Sequence, residues 1–279
     1  MSFLSIPAYA KINLFLEITG KRPDGFHDID SIMHAVSLCD DVTIGTNDSG
    51  EVTLDCPVLD IPQEKNIAWK AARLYLDRAG ISDGVHIAIE KRIPWEAGLG
   101  GGSSDAGAVL RGLNSLYARF DIEELAALGA EIGSDIPFCV RGGCMRALGR
   151  GEILSSLPVL PDCHVLLARG GVGSSTAEAY KAADAAGFVP CPDNLVDIME
   201  SGDLAAICSN TFNRFEDTAP YAAPIKEIML SCGALTSMLT GSGSAVFGIF
   251  NDENMAKTAE DKLGESGYWT ALCRPVAEF

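Results

Sequence analysis

The sequence has few basic residues and lacks the spacings typical of metal sites. It contains 21 lysines and arginines against 38 aspartates and glutamates, a formal net charge of −17. Nucleic-acid binders usually present a basic face, so we expect no nucleic-acid partner. The four histidines form no H-E-x-x-H or other paired spacing, so metal ligands stay unknown. An anionic substrate would need a site that gathers local cations or backbone N–H groups.

Long apolar runs and targeting segments are also lacking. No stretch has the eighteen or more apolar residues of a membrane span, so we expect no membrane partner. Residues 1–10 lack the basic and long apolar regions of a secretory signal. The nine cysteines are odd in number and form no C-x-x-C pair, which favours buried thiols over a disulfide framework. The pattern predicts a cytoplasmic protein, and it leaves the oligomeric state unknown.

Helical and strand-like segments alternate along the chain. Helices fit residues 66–79, 104–117, 121–133, 224–233 and 252–263, and strands fit residues 85–89, 165–168, 245–250 and 269–273. With 47% apolar residues, the 279-residue chain can form one large domain or two moderate ones. Because Pro158 and Pro161 interrupt regular structure, we place two domains at residues 1–158 and 159–279.

A glycine-rich loop lies between a predicted strand and a predicted helix. It contains Gly98, Leu99, Gly100, Gly101, Gly102, Ser103 and Ser104. Glycines let the backbone approach an anion closely, and the N-terminus of a helix offers free N–H groups, so this segment predicts a phosphate site. A flexible loop with a serine cap is the simpler alternative. The patterns G-x-x-x-x-G-K-S/T and G-x-G-x-x-G are missing, which excludes a P-loop and a Rossmann fingerprint.

This loop, read as P-x-x-x-G-L-G-G-G-S-S, resembles the second motif of the GHMP kinase superfamily. Three further segments resemble family motifs in the same order: residues 8–14 with A-K-I-N, residues 133–138 with G-S-D-I-P-F, and residues 239–245 with L-T-G-S-G-S-A. The resemblance spans essentially the whole chain. It implies an α+β fold with a ribosomal S5 domain 2-like N-terminal domain and a ferredoxin-like C-terminal domain. It also implies ATP as phosphoryl donor and Mg²⁺ between its β- and γ-phosphates.

The resemblance assigns roles to individual residues. It implies that Asp135 is the general base and that Lys11 keeps Asp135 ionised and offsets charge on the moving phosphoryl group. Taken alone, Lys11 would be an exposed edge lysine and Asp135 a helix cap. The implied ATP-binding residues are the loop from Gly98 to Ser104, Asn66 near the adenine, and Gly241, Ser242 and Gly243 closing over the phosphates. Glu96 stands where the family commonly has glycine, and we expect its carboxylate to point outward.

Two segments indicate the acceptor. The run Asp24-Gly25-Phe26-His27 and the A-K-I-N motif resemble the family branch whose acceptor is 4-diphosphocytidyl-2-C-methyl-D-erythritol. The resemblance implies that Phe26 and His27 contact the cytidine end, with Tyr180 of residues 175–180 nearby and Asn13 at the methylerythritol end. The implied reaction phosphorylates the 2-hydroxyl in non-mevalonate isoprenoid synthesis. A solvated turn at residues 22–28 and a core position for Tyr180 are the simpler alternatives. Another kinase of the superfamily and a non-catalytic nucleotide- or RNA-binding protein are the rival functions.

Overall fold

The computed structural model describes residues 3–58, 61–171, 176–187 and 194–279, so Ser175 of the 175–180 segment lies outside the described residues. The strands are β1 Phe3–Lys21, β2 His27–Asn47, β3 Val52–Asp55, β4 Gly84–Glu90, β5 Cys144–Gly149, β6 Ile153–Leu157, β7 His164–Arg169, β8 Phe212–Asn213, β9 Thr236–Leu239, β10 Val246–Phe250 and β11 Trp269–Cys273. The α-helices are α1 Ile67–Ala79, α2 Gly101–Tyr117, α3 Ile122–Ala130, α4 Ile136–Arg141, α5 Thr176–Ala186, α6 Leu195–Glu200, α7 Leu204–Ser209, α8 Ala223–Ser231 and α9 Glu253–Glu265. None of the described helices has the length and apolar content needed to cross a bilayer.

The first sheet is built around the long antiparallel pair β1 and β2. One end of β2 pairs with β4 and the other with β5, so the sheet continues in two directions from the same strand. Strand β3 pairs with β4, β6 pairs with β5, and the short β8 pairs in parallel with β1. The register of the β1–β2 pair is irregular at three places, between Tyr9 and Ala10, between Asn13 and Phe15, and between Ile18 and Gly20.

The second sheet has the strand order β11-β7-β10-β9, and all its pairs are antiparallel. Helices α5 to α8 lie in the chain between β7 and β9, and α9 lies between β10 and β11. This is the order of a ferredoxin-like sheet. Together with the first sheet and its helices it forms the two-domain α+β fold expected from the sequence.

The strand β7 is buried on both faces and shows how the two sheets are joined. Its Val165 and Leu167 pack with Ile12 of β1 in the core between the sheets. Its Leu166 and Ala168 point the opposite way and pack against α8 and α9. Alternate residues of a strand face opposite sides, so a continuous apolar run is required where both sides are covered. Full burial of a leucine of this kind stabilises the folded state by about 1.5–3 kcal/mol relative to an exposed side chain.

Several element ends follow the local signals in the sequence. Asn66 caps α1 by accepting a hydrogen bond from the Ala68 N–H, and Gly80 ends it in the left-handed conformation. Asp121 opens α3 with a complete capping box. Helix α2 begins at Gly101 rather than at Ser104, because Gly100 at φ +72° turns the chain into the helix earlier. The expected domain division at residue 158 lies between β6 and β7, although β8 returns to the first sheet.

Candidate active site

A large open cavity lies between the first sheet, the glycine-rich loop and helix α5. Its volume is about 1220 Å³, which is enough for two substrates. Four cationic side chains line it despite the strongly acidic composition: Lys11, Lys21, Arg150 and Lys181. It therefore supplies the local cations that an anionic substrate requires.

Lys11 lies on β1 at the floor of the cavity and is 4% exposed. Its Nζ donates to Asn13 Oδ1 at 2.6 Å and lies 3.9 Å from Asp135 Oδ2. A buried ammonium needs such partners, because desolvation alone would favour its neutral form. The edge-lysine alternative is therefore wrong for Lys11. The backbone N–H of Lys11 donates to the Leu99 carbonyl at 3.0 Å, which fixes the glycine-rich loop to β1.

Both polar atoms of the Asn13 side-chain amide form hydrogen bonds within the protein. Its Nδ2 donates to Ser31 Oγ at 2.8 Å. Its Oδ1 accepts from Lys11 and also from the Gly241 N–H at 3.0 Å. Asn13 lines the cavity, yet its hydrogen bonds position Lys11 and the loop at residues 240–244.

Asp135 occupies the N-cap position of α4 without acting as a cap. Its side chain makes no capping hydrogen bond, so the carboxylate stays free to face the cavity. Its side chain is 33% exposed there. The helix-cap alternative therefore does not explain this aspartate. The arrangement presents one carboxylate beside one buried ammonium, which is what a proton acceptor for a substrate hydroxyl requires.

The two glycine-rich loops meet directly above β1. A Cβ added to Gly98, at φ +76°, would lie 2.1 Å from the Thr240 carbonyl oxygen. A Cβ added to Gly241 would lie 3.0 Å from the Gly98 carbonyl oxygen. The Ala245 N–H donates to the Ala97 carbonyl at 2.9 Å. Glycine is required at this crossing because the backbones approach too closely for any side chain.

The two serines of the loop differ in what they present to a ligand. Ser104 is 1% exposed, and its hydroxyl donates to the Tyr9 carbonyl at 2.6 Å. Its N–H donates to Gly100, so both donors of Ser104 are used internally. Ser103 instead lines a cavity of about 230 Å³ around the loop, together with Gly98, Leu99, Gly100, Gly101 and Gly102. The groups of Ser104 therefore secure the loop, whereas Ser103 borders a cavity, and phosphate binding by either serine stays a prediction.

Glu96 adopts φ +51°, a left-handed conformation that explains why glycine suits this position. Its side chain is exposed, and the outward orientation expected from the sequence stays a prediction. It nevertheless borders both the large cavity and the loop cavity. Glu96 thus lies where the two cavities adjoin, next to the glycine-rich loop.

The far end of the large cavity is formed by Phe26, His27 and Tyr180. The rings of His27 and Tyr180 stack with centroids 4.7 Å apart, and Phe26 is 53% exposed beneath the Arg150 guanidinium. Burial raises the pKa of Tyr180 to about 12. The structure therefore brings Tyr180 to the neighbouring residues Phe26 and His27, although it lies more than 150 positions away in the chain.

Asp184 also belongs to this end of the cavity, and sequence reasoning missed it. Its Oδ1 lies 2.6 Å from His27 Nε2, and its Oδ2 pairs with Lys21. The hydrogen bonds from Lys21 and His27 hold the pKa of Asp184 below its usual range. No sequence signal links these residues, because the pairing joins α5 to the β1–β2 turn.

A buried ion cluster beneath the glycine-rich loop was also missed. Lys91 pairs with Asp40 and with Asp105, and the Lys91–Asp105 distance is 2.6 Å. Burial raises the pKa of Asp105 to about 7, with Lys91 opposing the shift. A Cβ on Gly101 would lie 3.4 Å from Lys91 Nζ, so this cation supports the loop from below.

Asn66 lies apart from the large cavity and borders a second cavity of about 430 Å³, while its neighbour Ile67 lines the loop cavity.

Comparison with known proteins identifies the class. Residues 66–143 match the GHMP kinase N-terminal domain and residues 195–268 match the GHMP kinase C-terminal domain. The chain therefore belongs to the GHMP kinase family and is an ATP-dependent small-molecule kinase. Among these enzymes it groups with the 4-diphosphocytidyl-2-C-methyl-D-erythritol kinases, as the following relatives show.

The named relatives are similar over nearly their whole length. The 4-diphosphocytidyl-2-C-methyl-D-erythritol kinase of Exiguobacterium sibiricum is 43% identical over 90% of this chain and 91% of its own. That of Lachnoclostridium phytofermentans is 39% identical over 98% of each chain. A solved structure of 4-(cytidine 5′-diphospho)-2C-methyl-D-erythritol kinase superposes with a TM-score of 0.81 at 31% identity, covering 97% of this chain and 99% of the other. A homoserine kinase from Cytophaga hutchinsonii shares the fold, with a TM-score of 0.74 at 17% identity over 100% of this chain and 96% of its own.

Proposed function

We propose that this protein transfers the γ-phosphoryl group of ATP to the 2-hydroxyl of 4-diphosphocytidyl-2-C-methyl-D-erythritol. The products are the 2-phosphate and ADP, and the reaction is a step of non-mevalonate isoprenoid precursor synthesis. The observation that carries the proposal is a single cavity with three parts in series. Lys11 and Asp135 lie between the glycine-rich loops at one side and Phe26, His27 and Tyr180 at the other.

Asp135 acts as the base in this proposal. It accepts the proton of the 2-hydroxyl as the new O–P bond forms and the bond between the γ-phosphorus and the ADP oxygen breaks. Lys11, whose Nζ lies 3.9 Å from Asp135 Oδ2, offsets negative charge on the moving phosphoryl group. Phosphoryl transfer depends mostly on positioning and charge stabilisation, which this buried and fixed lysine provides.

The phosphates of ATP lie along the first glycine-rich loop and the N-terminus of α2. Ser103 and the N–H groups of Gly100, Gly101 and Gly102 supply the donors, in a helix terminus that favours negative charge. The loop with Gly241, Ser242 and Gly243 closes over the phosphates from the second domain. The adenine lies toward Asn66 and Ile67, beyond the loop cavity.

Mg²⁺ is the expected partner of the ATP phosphates, and the residues present fit it. Magnesium is usually held by one or two carboxylates together with substrate phosphates and water, so no dedicated cage is required. Among the described residues no group of three or more histidines, cysteines or acidic residues could hold a metal alone. We assign Glu96 this role, in place of the outward orientation expected from the sequence, because Asp135 faces Lys11 and Asp184 is engaged by Lys21 and His27. When bound, the ion would neutralise charge on the phosphate oxygens.

The acceptor lies across the other part of the cavity. Phe26 stacks on the pyrimidine, Tyr180 packs nearby, and His27 contacts the edge of the base. Asn13 keeps the methylerythritol end in place indirectly, by holding Lys11 and the loop at Gly241. We place the reaction in the cytoplasm without a nucleic-acid partner, supported by eight free cysteines in the described residues and the net charge of −17.

The test is ADP release from Mg-ATP with purified protein and four conditions: the cytidyl acceptor, homoserine, mevalonate and no acceptor. We expect turnover with the cytidyl acceptor alone. Turnover with another acceptor would keep the phosphate site and reject the roles of Phe26, His27 and Tyr180. Protein that binds ATP but turns over none of them would reject the proposal.

A further inference from the structure

Asp184 joins α5 to the part of the first sheet that forms the base-binding end of the cavity. One oxygen of its carboxylate lies 2.6 Å from His27 Nε2, and the other pairs with Lys21 Nζ. The same helix carries Tyr180, whose ring stacks on His27. The imidazole is therefore held in its plane by a stacked ring and along its edge by a carboxylate.

A carboxylate beside one nitrogen of an imidazole determines what the other nitrogen can do. An ionised carboxylate only accepts hydrogen bonds, so Nε2 must carry a proton to meet Asp184 at this distance. In the neutral ring the remaining nitrogen, Nδ1, then has a free lone pair and acts as an acceptor. Among the described residues Nδ1 of His27 has no hydrogen-bond partner, and the ring lines the large cavity.

An acceptor at this position distinguishes the two common pyrimidines. Cytosine carries a 4-amino group, which donates, whereas uracil carries a 4-oxo group, which only accepts. An acceptor nitrogen pairs with the first and faces the second with two lone pairs opposed. A site whose acceptor nitrogen pairs with the 4-amino group rejects an analogue without that group, because the acceptor nitrogen is then left unpaired.

We infer that Asp184, held by Lys21, is a positioning residue that fixes the Nε2–H tautomer of His27 and thereby selects a 4-aminopyrimidine over a 4-oxopyrimidine. This rests on the proposed function, in which His27 meets the edge of the base. Lys21 fixes the second oxygen of the carboxylate and keeps Asp184 ionised, so that it cannot turn a proton toward the imidazole.

The test compares the cytidyl acceptor with its uridyl analogue in the wild-type enzyme and in three variants, at pH 8 to favour a neutral imidazole. Asp184→Ala removes the constraint, and Asp184→Glu keeps a carboxylate. Glu178→Ala is the matched control, because it removes one exposed negative charge from the same helix outside the cavity. The quantity measured is the ratio of kcat/KM for the two acceptors, with kcat and KM resolved separately.

For Asp184→Ala we expect the cytidyl-to-uridyl ratio of kcat/KM to fall about tenfold, mainly through a higher KM for the cytidyl acceptor. The reason is that His27 is no longer held in the tautomer that accepts a hydrogen bond from the base. Asp184→Glu should restore part of the ratio, and Glu178→Ala should keep it at the wild-type value. Equal loss with both acceptors, or an unchanged ratio, would overturn the inference while leaving the proposed function intact. A wild-type enzyme inactive with the cytidyl acceptor would instead remove the proposed function on which the inference rests.

Discussion

Lys11 Nζ lies 3.9 Å from Asp135 Oδ2, close enough for strong attraction yet beyond direct hydrogen-bond distance. The lysine is almost fully buried, whereas the aspartate is one-third exposed toward the cavity. The ammonium is fixed by Asn13, so it attracts the carboxylate without occupying the lone pairs that a substrate hydroxyl would use. The geometry therefore suits proton acceptance by Asp135 better than a closed ion pair would.

Asp135→Asn removes the proton acceptor and keeps the shape of the side chain. We expect kcat to fall by about 10² to 10⁴, the usual contribution of a positioned base, with ATP binding retained. The measurement is steady-state ADP release together with calorimetric titration of ATP. Asp261→Asn, an exposed acid on α9 that does not line the cavity, serves as the control for loss of a carboxylate. Near-normal turnover in Asp135→Asn would remove this residue as the base.

Ser103→Ala and Ser104→Ala separate phosphate binding from loop support. Ser103→Ala should raise the KM for ATP about tenfold with little change in stability, because it loses a hydrogen bond to a charged ligand. Ser104→Ala should lower the free energy of unfolding by about 1–3 kcal/mol, because it leaves the Tyr9 carbonyl without its donor. ATP kinetics and urea denaturation measure the two effects. The reverse pattern would mean that Ser104 is the phosphate contact.

The sequence predicts those parts of the site that depend on short segments. The glycine-rich loop, the capped helix α1 and the strand β7 each carry their signal within about a dozen residues, and the family motifs mark Lys11 and Asp135. Two features could not be predicted in this way. The Lys91–Asp40–Asp105 cluster and the His27–Asp184 contact join residues from distant elements. In the sequence, an acidic residue that forms a buried ion pair cannot be told from one that faces solvent. Their pairing becomes visible only when the sheets are assembled.

Glu96→Gly tests whether a glutamate occupies this left-handed position because its carboxylate has a role in binding. Glycine should raise the free energy of unfolding by about 1 kcal/mol, because it adopts φ +51° without steric cost. If Glu96 holds Mg²⁺, the same change should raise the Mg²⁺ concentration for half-maximal ATP binding about tenfold, measured by calorimetry.

The matched control is Ala118→Gly, since Ala118 has φ +50° at the end of α2, outside the cavity. It should gain similar stability with unchanged Mg²⁺ dependence, and Glu96→Gln should show the Mg²⁺ effect without the gain in stability. Unchanged Mg²⁺ dependence in both Glu96 variants would exclude this carboxylate from metal binding.

His34 of β2, whose Cα lies opposite Ile12 in the β1–β2 pair, provides a pH-dependent contribution to stability. It is fully buried, its Nδ1–H donates to the Ala35 carbonyl at 2.8 Å, and its Nε2 accepts from the Leu160 N–H at 2.9 Å. The bond accepted by Nε2 requires the neutral ring, and burial lowers the pKa of His34 from 6.5 to about 4. The unfolded chain therefore binds this proton at a higher pH than the folded protein, so stability is lost as pH falls from about 6.5 toward 4.

The expected loss from this one group is about 3 kcal/mol across that interval. Urea denaturation at steps of pH measures it as the slope of the free energy of unfolding. His34→Gln should be less stable at pH 7 but show a shallower slope between pH 6.5 and 4 than the wild type. His86→Gln, at a half-buried histidine on β4, is the control and should change the slope much less than His34→Gln does. Parallel curves for wild type and His34→Gln would contradict this assignment, because the acid sensitivity would then come from other groups.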